Sequence, residues 1–66
     1  MAKAKKVSEF KAGDKFSFSN KKKVRVYTII AIGQNGHYLH IDYEAFDKSF
    51  HEDFLPTNEL YYQGEK

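Results

Sequence analysis

The sequence predicts a single all-β domain, built as a small barrel of four or five antiparallel strands. Short runs in which apolar and polar residues alternate are separated by turn residues, and Asn35-Gly36 is a strong hairpin signal between two such runs. No stretch has the period of an amphipathic helix of useful length. The 66 residues make one domain at most, and six Phe and five Tyr with no Cys indicate a core stabilised by aromatic packing rather than by disulfides.

The chain before the hairpin divides into a basic segment and a first strand. Residues 1–11 are basic and aperiodic, so they predict a flexible basic arm outside the barrel. Gly13-Asp14 is a turn signal, and the alternation after it predicts a half-buried strand with Phe16 and Phe18 on one face. A polar loop that contains Lys21-Lys22-Lys23 then leads into the hairpin.

The hairpin is the clearest element, because both of its strands agree on which face is apolar. Residues 24–32 are rich in β-branched side chains, and residues 37–43 alternate. With Asn35-Gly36 as the two turn residues, the pairs on the core face are Ile32 with Leu39, Ile30 with Ile41, and Thr28 with Tyr43.

The other face of this hairpin mixes aromatic and charged residues, and two interpretations stay open. In the first, Tyr27 and Ile29 pack under a loop or the N-terminal segment, because a strongly bent strand buries one end on each face. In the second, Tyr27, Tyr38 and His40 form an exposed binding surface.

A second turn and a last strand are expected after the hairpin. Asp47-Lys48 predicts a turn before a short strand over residues 49–51. Pro56 cannot lie in a central strand and predicts a 3₁₀ turn, after which residues 61–63 form the last strand. The barrel is therefore expected over residues 12–63, with residues 64–66 as a tail.

The segment Phe54-Leu55-Pro56-Thr57-Asn58-Glu59-Leu60 is similar to the F-P-x-N-x-x-x-L stretch that precedes the last strand of SH3 domains, and Gly13-Asp14-Lys15 opens a strand as in KOW-type barrels. Over residues 12–63 the chain resembles the SH3-like class of small barrels, which includes SH3, KOW and Tudor-like domains. The resemblance implies a fold rather than an activity. Because the chain has no Trp and no Ala-Leu-Tyr-Asp-Tyr run, we do not expect it to bind proline-rich peptides as SH3 domains do.

Charge is distributed unevenly along the chain. Residues 1–25 contain nine Lys and Arg against two acids, and residues 26–66 contain two Lys against seven acids. The overall formal charge of +2 hides this asymmetry, which indicates a basic region that meets an anionic partner.

Nucleic acid, DNA or RNA, is the first partner that this pattern predicts. A basic loop beside exposed tyrosines is typical of single-strand binding, in which cations hold phosphates and aromatic rings stack on bases. We expect a non-catalytic nucleic-acid-associated module whose contacts are Lys21, Lys22, Lys23, Arg25, Tyr27, Tyr38, Lys5 and Lys6. The alternative for the lysine loop is a solubilising turn whose cations pair with the acidic half of the chain.

A larger protein is the second predicted partner. The acids Asp42, Glu44, Asp47, Glu52 and Asp53 could receive a basic protein. Five aromatic residues between positions 46 and 62 are more than a small core easily hides, and an exposed aromatic patch indicates a protein contact. The chain would then be a small adaptor or inhibitor of the phage or mobile-element type.

Other function classes have little support in the sequence. No glycine-rich phosphate loop is present, and Ser17, Ser19 and Ser49 lack an activating context, so we expect neither an enzyme nor a cofactor. His37 and His40 would place their rings on opposite faces of a strand, so no metal site is expected. With no long apolar run, a cytoplasmic protein without a membrane contact is the expectation.

Overall fold

A computed structural model describes residues 3–65 of the chain as one antiparallel sheet. Its strands are β1 (Lys3–Lys6), β2 (Asp14–Ser17), β3 (Tyr27–Asn35), β4 (Tyr38–Ala45), β5 (Lys48–Phe54) and β6 (Glu59–Glu65). A 3₁₀ helix at Val7–Glu9 separates β1 from β2. The order across the sheet is β1-β6-β2-β3-β4-β5, and the sheet curls into a half-barrel. The all-β prediction is confirmed, with six strands rather than four or five.

The concave face of the half-barrel holds an aromatic core centred on Phe16. Phe16 is fully buried, and its ring centroid lies 5.2 Å from Tyr43 and 5.5 Å from Tyr27. From β4, Ile41 and Tyr43 face the same side, as the alternation predicted. The buried apolar residues are Val7, Phe10, Phe16, Ile29, Ile41, Tyr43, Phe54 and Leu60. The predicted reliance on aromatic packing is confirmed.

The N-terminal segment is part of the sheet, which corrects the prediction of an arm outside the barrel over residues 1–11. β1 pairs with β6 from Lys3 opposite Tyr62 to Lys6 opposite Glu59. Val7 follows, fully buried, and its N–H donates to the carbonyl of Asn58 over 2.7 Å. A short basic strand has no periodicity of its own, and only its pairing with β6 makes it a strand. Residues 1–2 of the expected arm lie outside the described residues.

The β3–β4 hairpin is present, but its turn and register differ from the prediction. The turn residues are Gly36-His37, Asn35 lies opposite Tyr38, and Ile32 lies opposite Ile41 rather than Leu39. Gly36 has a φ of 65°, and His37 is not in the positive-φ region. Positive φ at the first turn position alone is the pattern of a type II′ turn. The turn residues expected at Asn35-Gly36 are therefore wrong by one position.

A β-bulge at Ile30 decides which β3 side chains reach the core. The pairing passes from Ile29 opposite Tyr43 to Ala31 opposite Asp42, which leaves Ile30 without a partner. Ile29 is 1% exposed, whereas Ile30, expected to face the core, is 47% exposed. Tyr27 also packs against the core. Tyr27 and Ile29 therefore pack inside, as in the first interpretation, but on the aromatic core and not under a loop or the N-terminal segment. Tyr27 does not share one exposed face with Tyr38 and His40.

The last two connections lie near their predicted positions, although the described residues form a 3₁₀ helix only at Val7–Glu9 and a plain turn at Pro56. The β4–β5 turn is Phe46-Asp47 rather than Asp47-Lys48. At Pro56 the chain makes a single tight turn, in which the Asn58 N–H donates to the Leu55 carbonyl over 2.9 Å. β6 then continues to Glu65, so Gly64 and Glu65 belong to the sheet rather than to a tail; Lys66 lies outside the described residues.

Candidate functional site

The lysine loop between β2 and β3 is anchored by a small hydrogen-bond network. Ser17, fully buried at the end of β2, donates its hydroxyl to the Ser19 carbonyl over 2.6 Å. A bulge in the β2–β6 pairing leaves Gln63 unpaired, and its Nε2 donates to Ser17 Oγ over 2.8 Å. Ser19 Oγ accepts the Lys21 N–H at 3.1 Å. These bonds hold the start of the loop in place at the end of β2. The lysine side chains therefore extend from a fixed position on the sheet.

Next to this anchor the loop borders an aromatic groove of about 310 Å³, lined by Phe18, Ser19, Lys21, Lys23, Val24, Arg25 and Tyr27. Phe18 is 47% exposed, and its ring lies edge-on to Phe16 and Tyr27 at centroid distances of 5.3 and 5.4 Å. The groove therefore combines an accessible aromatic ring, held by the core, with three side chains that carry positive charge. This combination fits a ligand that is both anionic and aromatic.

Two further grooves adjoin the aromatic groove through shared residues. The first, which we call the Tyr62 groove, has a volume of about 800 Å³ and shares Lys21 and Val24 with the aromatic groove. It is lined by Asn20, Lys21, Lys22, Val24, Val26, Tyr62 and Gln63. The hairpin groove, about 220 Å³, shares Arg25; its lining is Arg25, Ala45, Phe46, Asp47, Lys48 and Phe50. Of the described residues that line the three grooves, Asp47 is the one acid. We call these three neighbouring grooves together the basic-aromatic surface.

The β4–β5 turn closes one end of this surface with an unusual residue. Phe46 is 86% exposed and has a φ of 58°. The Arg25 guanidinium lies over its ring, 5.5 Å from the centroid. Phe50 beside it stacks on Tyr43 at 5.5 Å and lies 6.0 Å from Tyr27. Tyr27 of the aromatic groove thus contacts Phe50, which lines the hairpin groove together with Phe46.

The structure brings together part of the predicted nucleic-acid set. Lys21, Lys22, Lys23 and Arg25 lie along the basic-aromatic surface, and Tyr27 is half-buried at its base. Tyr38 begins β4 and lies opposite Asn35, at the other end of the nine-residue strand β3 from Tyr27. At 3.3 Å per residue the two tyrosines are separated by roughly 25–30 Å along the sheet. Tyr38 therefore does not lie beside the lysine loop.

Lys5 and Lys6 lie on β1 rather than on an arm. The Lys5 ammonium is 4.1 Å from the ring centroid of Tyr62 and 5.3 Å from that of Phe10. Lys5 thus borders the Tyr62 groove, whereas Lys6 is exposed at the end of β1, opposite Glu59. Phe18, Phe46, Lys48 and Tyr62 were not predicted as site residues. The excess of aromatics late in the chain was a signal for Phe46, but local pattern gave no sign that Phe18 lies beyond the end of β2.

The predicted acidic set does not share one face. Asp42, Glu44 and Asp53 lie on the convex side of β4 and β5, and Asp47 lies in the turn. Glu52 lies opposite Ile41 on the concave side and accepts a hydrogen bond from the Tyr43 hydroxyl at 3.1 Å. Burial, together with this bond to Glu52, raises the pKa of Tyr43 to about 12.

The convex side of β4 and β5 carries three acidic side chains, Asp42, Glu44 and Asp53, which we call the convex acidic strip. His40 lies in its middle. Its Nδ1 is 2.6 Å from Asp53 Oδ1, and its Nε2 is 3.3 Å from Asp42 Oδ1. The hydrogen bond with Asp53, with the charges of Asp53 and Asp42, raises the pKa of His40 despite some desolvation. Protonated His40 therefore neutralises part of the strip and ties β4 to β5.

Within residues 3–65, no group of three or more His, Asp or Glu side chains is arranged to hold a metal ion. The same part of the chain contains no helix long and apolar enough to cross a membrane.

Comparison with protein-family models, with curated protein sequences and with solved structures finds no match to this chain. The chemistry of the basic-aromatic surface is therefore the basis on which a function can be argued.

Proposed function

We propose that the chain is a non-catalytic module that binds nucleic acid through its basic-aromatic surface. The observation that carries this proposal is the aromatic groove, where Phe18 is half-exposed beside Lys21, Lys23 and Arg25. Lysine and arginine bind phosphates, and an exposed aromatic ring stacks on a base whatever the sequence.

The shape of the surface supports the same partner. The three grooves are neighbours, because the aromatic groove shares Lys21 and Val24 with one of them and Arg25 with the other, and a chain-like ligand suits such a row of adjacent grooves. Cations line this row from Lys22 in the Tyr62 groove to Lys48 in the hairpin groove. Three of the acids of residues 26–66, Asp42, Glu44 and Asp53, lie on the convex side, and Asp47 is the one acid among the described residues that line the grooves.

The fold that presents the surface is proposed to be an SH3-like barrel. β6 follows the Pro56 turn and pairs with β2, and β2 through β5 are consecutive neighbours in the sheet. This order supports the resemblance found in residues 12–63.

A charge-matched comparison tests the proposal. Fluorescence anisotropy would measure the affinity of the chain for short DNA and RNA strands at roughly 50 mM salt, where phosphate contacts contribute strongly. We expect Lys21→Ala with Lys23→Ala to weaken binding by roughly tenfold, because two phosphate contacts are lost. The control is Lys3→Ala with Lys11→Ala, which removes the same charge at exposed positions outside the three grooves. Equal losses in both variants would contradict a localised site.

The convex acidic strip favours a second candidate function, docking of a basic protein. Asp42, Glu44 and Asp53 are close together there, and the Arg or Lys side chains of a partner could pair with them. Reversing Glu44 and Asp53 to Lys would abolish such docking and leave nucleic-acid binding at least as strong. Reversals that change no interaction would exclude this candidate.

A further inference from the structure

Phe46 occupies a backbone conformation that its side chain does not favour. Among the described residues it is the one non-glycine with positive φ, at 58°. Gly, Asn and Asp ordinarily take this conformation in hairpin turns, because a larger L-residue brings its Cβ too close to the backbone. Turn geometry therefore does not explain a phenylalanine here.

Packing does not explain it either. The ring is 86% exposed, so burial on folding contributes little. Its described neighbour is the Arg25 guanidinium, 5.5 Å from the ring centroid, which leaves most of the ring open to solvent. A large aromatic side chain held out at a strained turn points to a contact made outside the chain.

The surroundings of Phe46 indicate the chemistry of that contact. Arg25 and Lys48 line the hairpin groove beside it, and Phe50 and Tyr27 connect it to the aromatic groove. A flat apolar ring flanked by two cations suits a unit that has a planar base next to a phosphate. An apolar protein anchor would leave both cations without a role.

We propose that Phe46 is a base-stacking platform at one end of the basic-aromatic surface, and that the module consequently binds single strands. The inference rests on the proposed function and specifies its ligand. A base can stack on Phe46 only when it is unpaired and unstacked, while Arg25 holds an adjacent phosphate. Paired bases inside a duplex cannot reach a ring that projects from a hairpin tip.

The test uses two strands of equal charge, each about 12 nucleotides long, a length within the range that small barrels cover. One is oligodeoxythymidine, and the other is an abasic strand with the same phosphates and no bases. We expect the unmodified chain to bind the thymidine strand at least about fivefold more tightly than the abasic strand. This ratio corresponds to the lower end of the free energy gained when one base stacks on an aromatic ring. Phe46→Asn is expected to lower the preference for the thymidine strand by about fivefold, because Phe18 still stacks on a base, and Phe46→Trp is expected to retain the preference.

Stability separates this role from a structural one. Asn tolerates positive φ, so Phe46→Asn is expected to have an equal or higher thermal midpoint while its preference for the thymidine strand falls. A Phe46→Asn variant that keeps the full preference would overturn the inference, and tighter binding of a duplex than of the thymidine strand would do the same. In either case the paired Lys21 and Lys23 substitutions still test the proposed function separately. Failure of the unmodified chain to bind any strand would refute both.

Discussion

Val7→Ala tests whether the N-terminal segment is part of the fold. Val7 is fully buried, and it joins β1 to the core beside Leu60 and Phe10. Removing its two methyl groups costs about 1.5 kcal/mol in transfer free energy, and the cavity that remains raises the loss to roughly 2–3 kcal/mol. For a domain of this size, that loss lowers the thermal midpoint by roughly 10–20 °C.

The assay is thermal and urea unfolding followed by circular dichroism and by tyrosine fluorescence, since the chain has no Trp. Ser8→Ala is the matched control, because Ser8 is the next residue and its side chain is exposed. Its backbone N–H, which donates to the Pro56 carbonyl at 3.3 Å, is unchanged by the substitution. If Val7→Ala proved as mild as Ser8→Ala, residues 3–7 would not be packed against the barrel, and the original prediction of an arm would stand.

Three further predictions follow from the β3–β5 part of the sheet. Ile29→Ala is expected to lower the free energy of unfolding by about 2–5 kcal/mol, and Ile30→Ala by well under 1 kcal/mol, because the bulge buries only Ile29. Equal losses for the two variants in urea unfolding would contradict the bulge. The pKa of His40 is higher in the folded chain than its ordinary 6.5. Protonated His40 therefore stabilises the fold fully below pH 6.5, and this stabilisation is lost as the pH rises through the pKa of the folded chain. Asp53→Asn should flatten this dependence in unfolding experiments across neutral pH, and an unchanged profile would count against the His40–Asp53 pair. The pKa of Tyr43 is raised from 10.0 to about 12, so the fold favours the neutral form of its hydroxyl. Stability is therefore expected to fall as the pH rises from 10 towards 12. The fall is expected to be smaller in Tyr43→Phe, which has no hydroxyl to titrate.

The sequence predicted those parts of the fold that local alternation determines. β4 is the best example, because Leu39, Ile41 and Tyr43 alternate with polar residues and face the concave side as expected. The hairpin partner of β4 was also found, since turn residues lie between two β-rich runs.

The errors have tertiary causes. The bulge at Ile30 has no sequence signal, since Ile29 and Ile30 are equally apolar, and curvature of the sheet decides which one is buried. β1 is a strand only because the edge of β6 is available to it. Both effects depend on residues far away in the chain, so a window of neighbouring residues cannot reveal them.

The candidate site was predictable in its charge and less so in its aromatic part. The lysine loop was identified from composition alone, and its side chains line two of the three grooves. Tyr38, predicted with this set, lies next to the hairpin turn, at the end of β3 away from the lysine loop. Phe46 was one of several late aromatics, and its exposure depends on the turn falling at Phe46-Asp47.

The salt dependence of single-strand binding is the most direct test of the basic-aromatic surface. The logarithm of the association constant is measured against the logarithm of salt concentration for the unmodified chain and for the two lysine-pair variants. We predict a falling line for the unmodified chain, and a slope shallower by roughly 0.7 for each of Lys21 and Lys23 removed, as counterion release requires for single strands. The Lys3 and Lys11 control should keep the original slope. Slopes that are the same for all three proteins, or an affinity that does not vary with salt, would contradict the assignment of phosphate contacts to this loop.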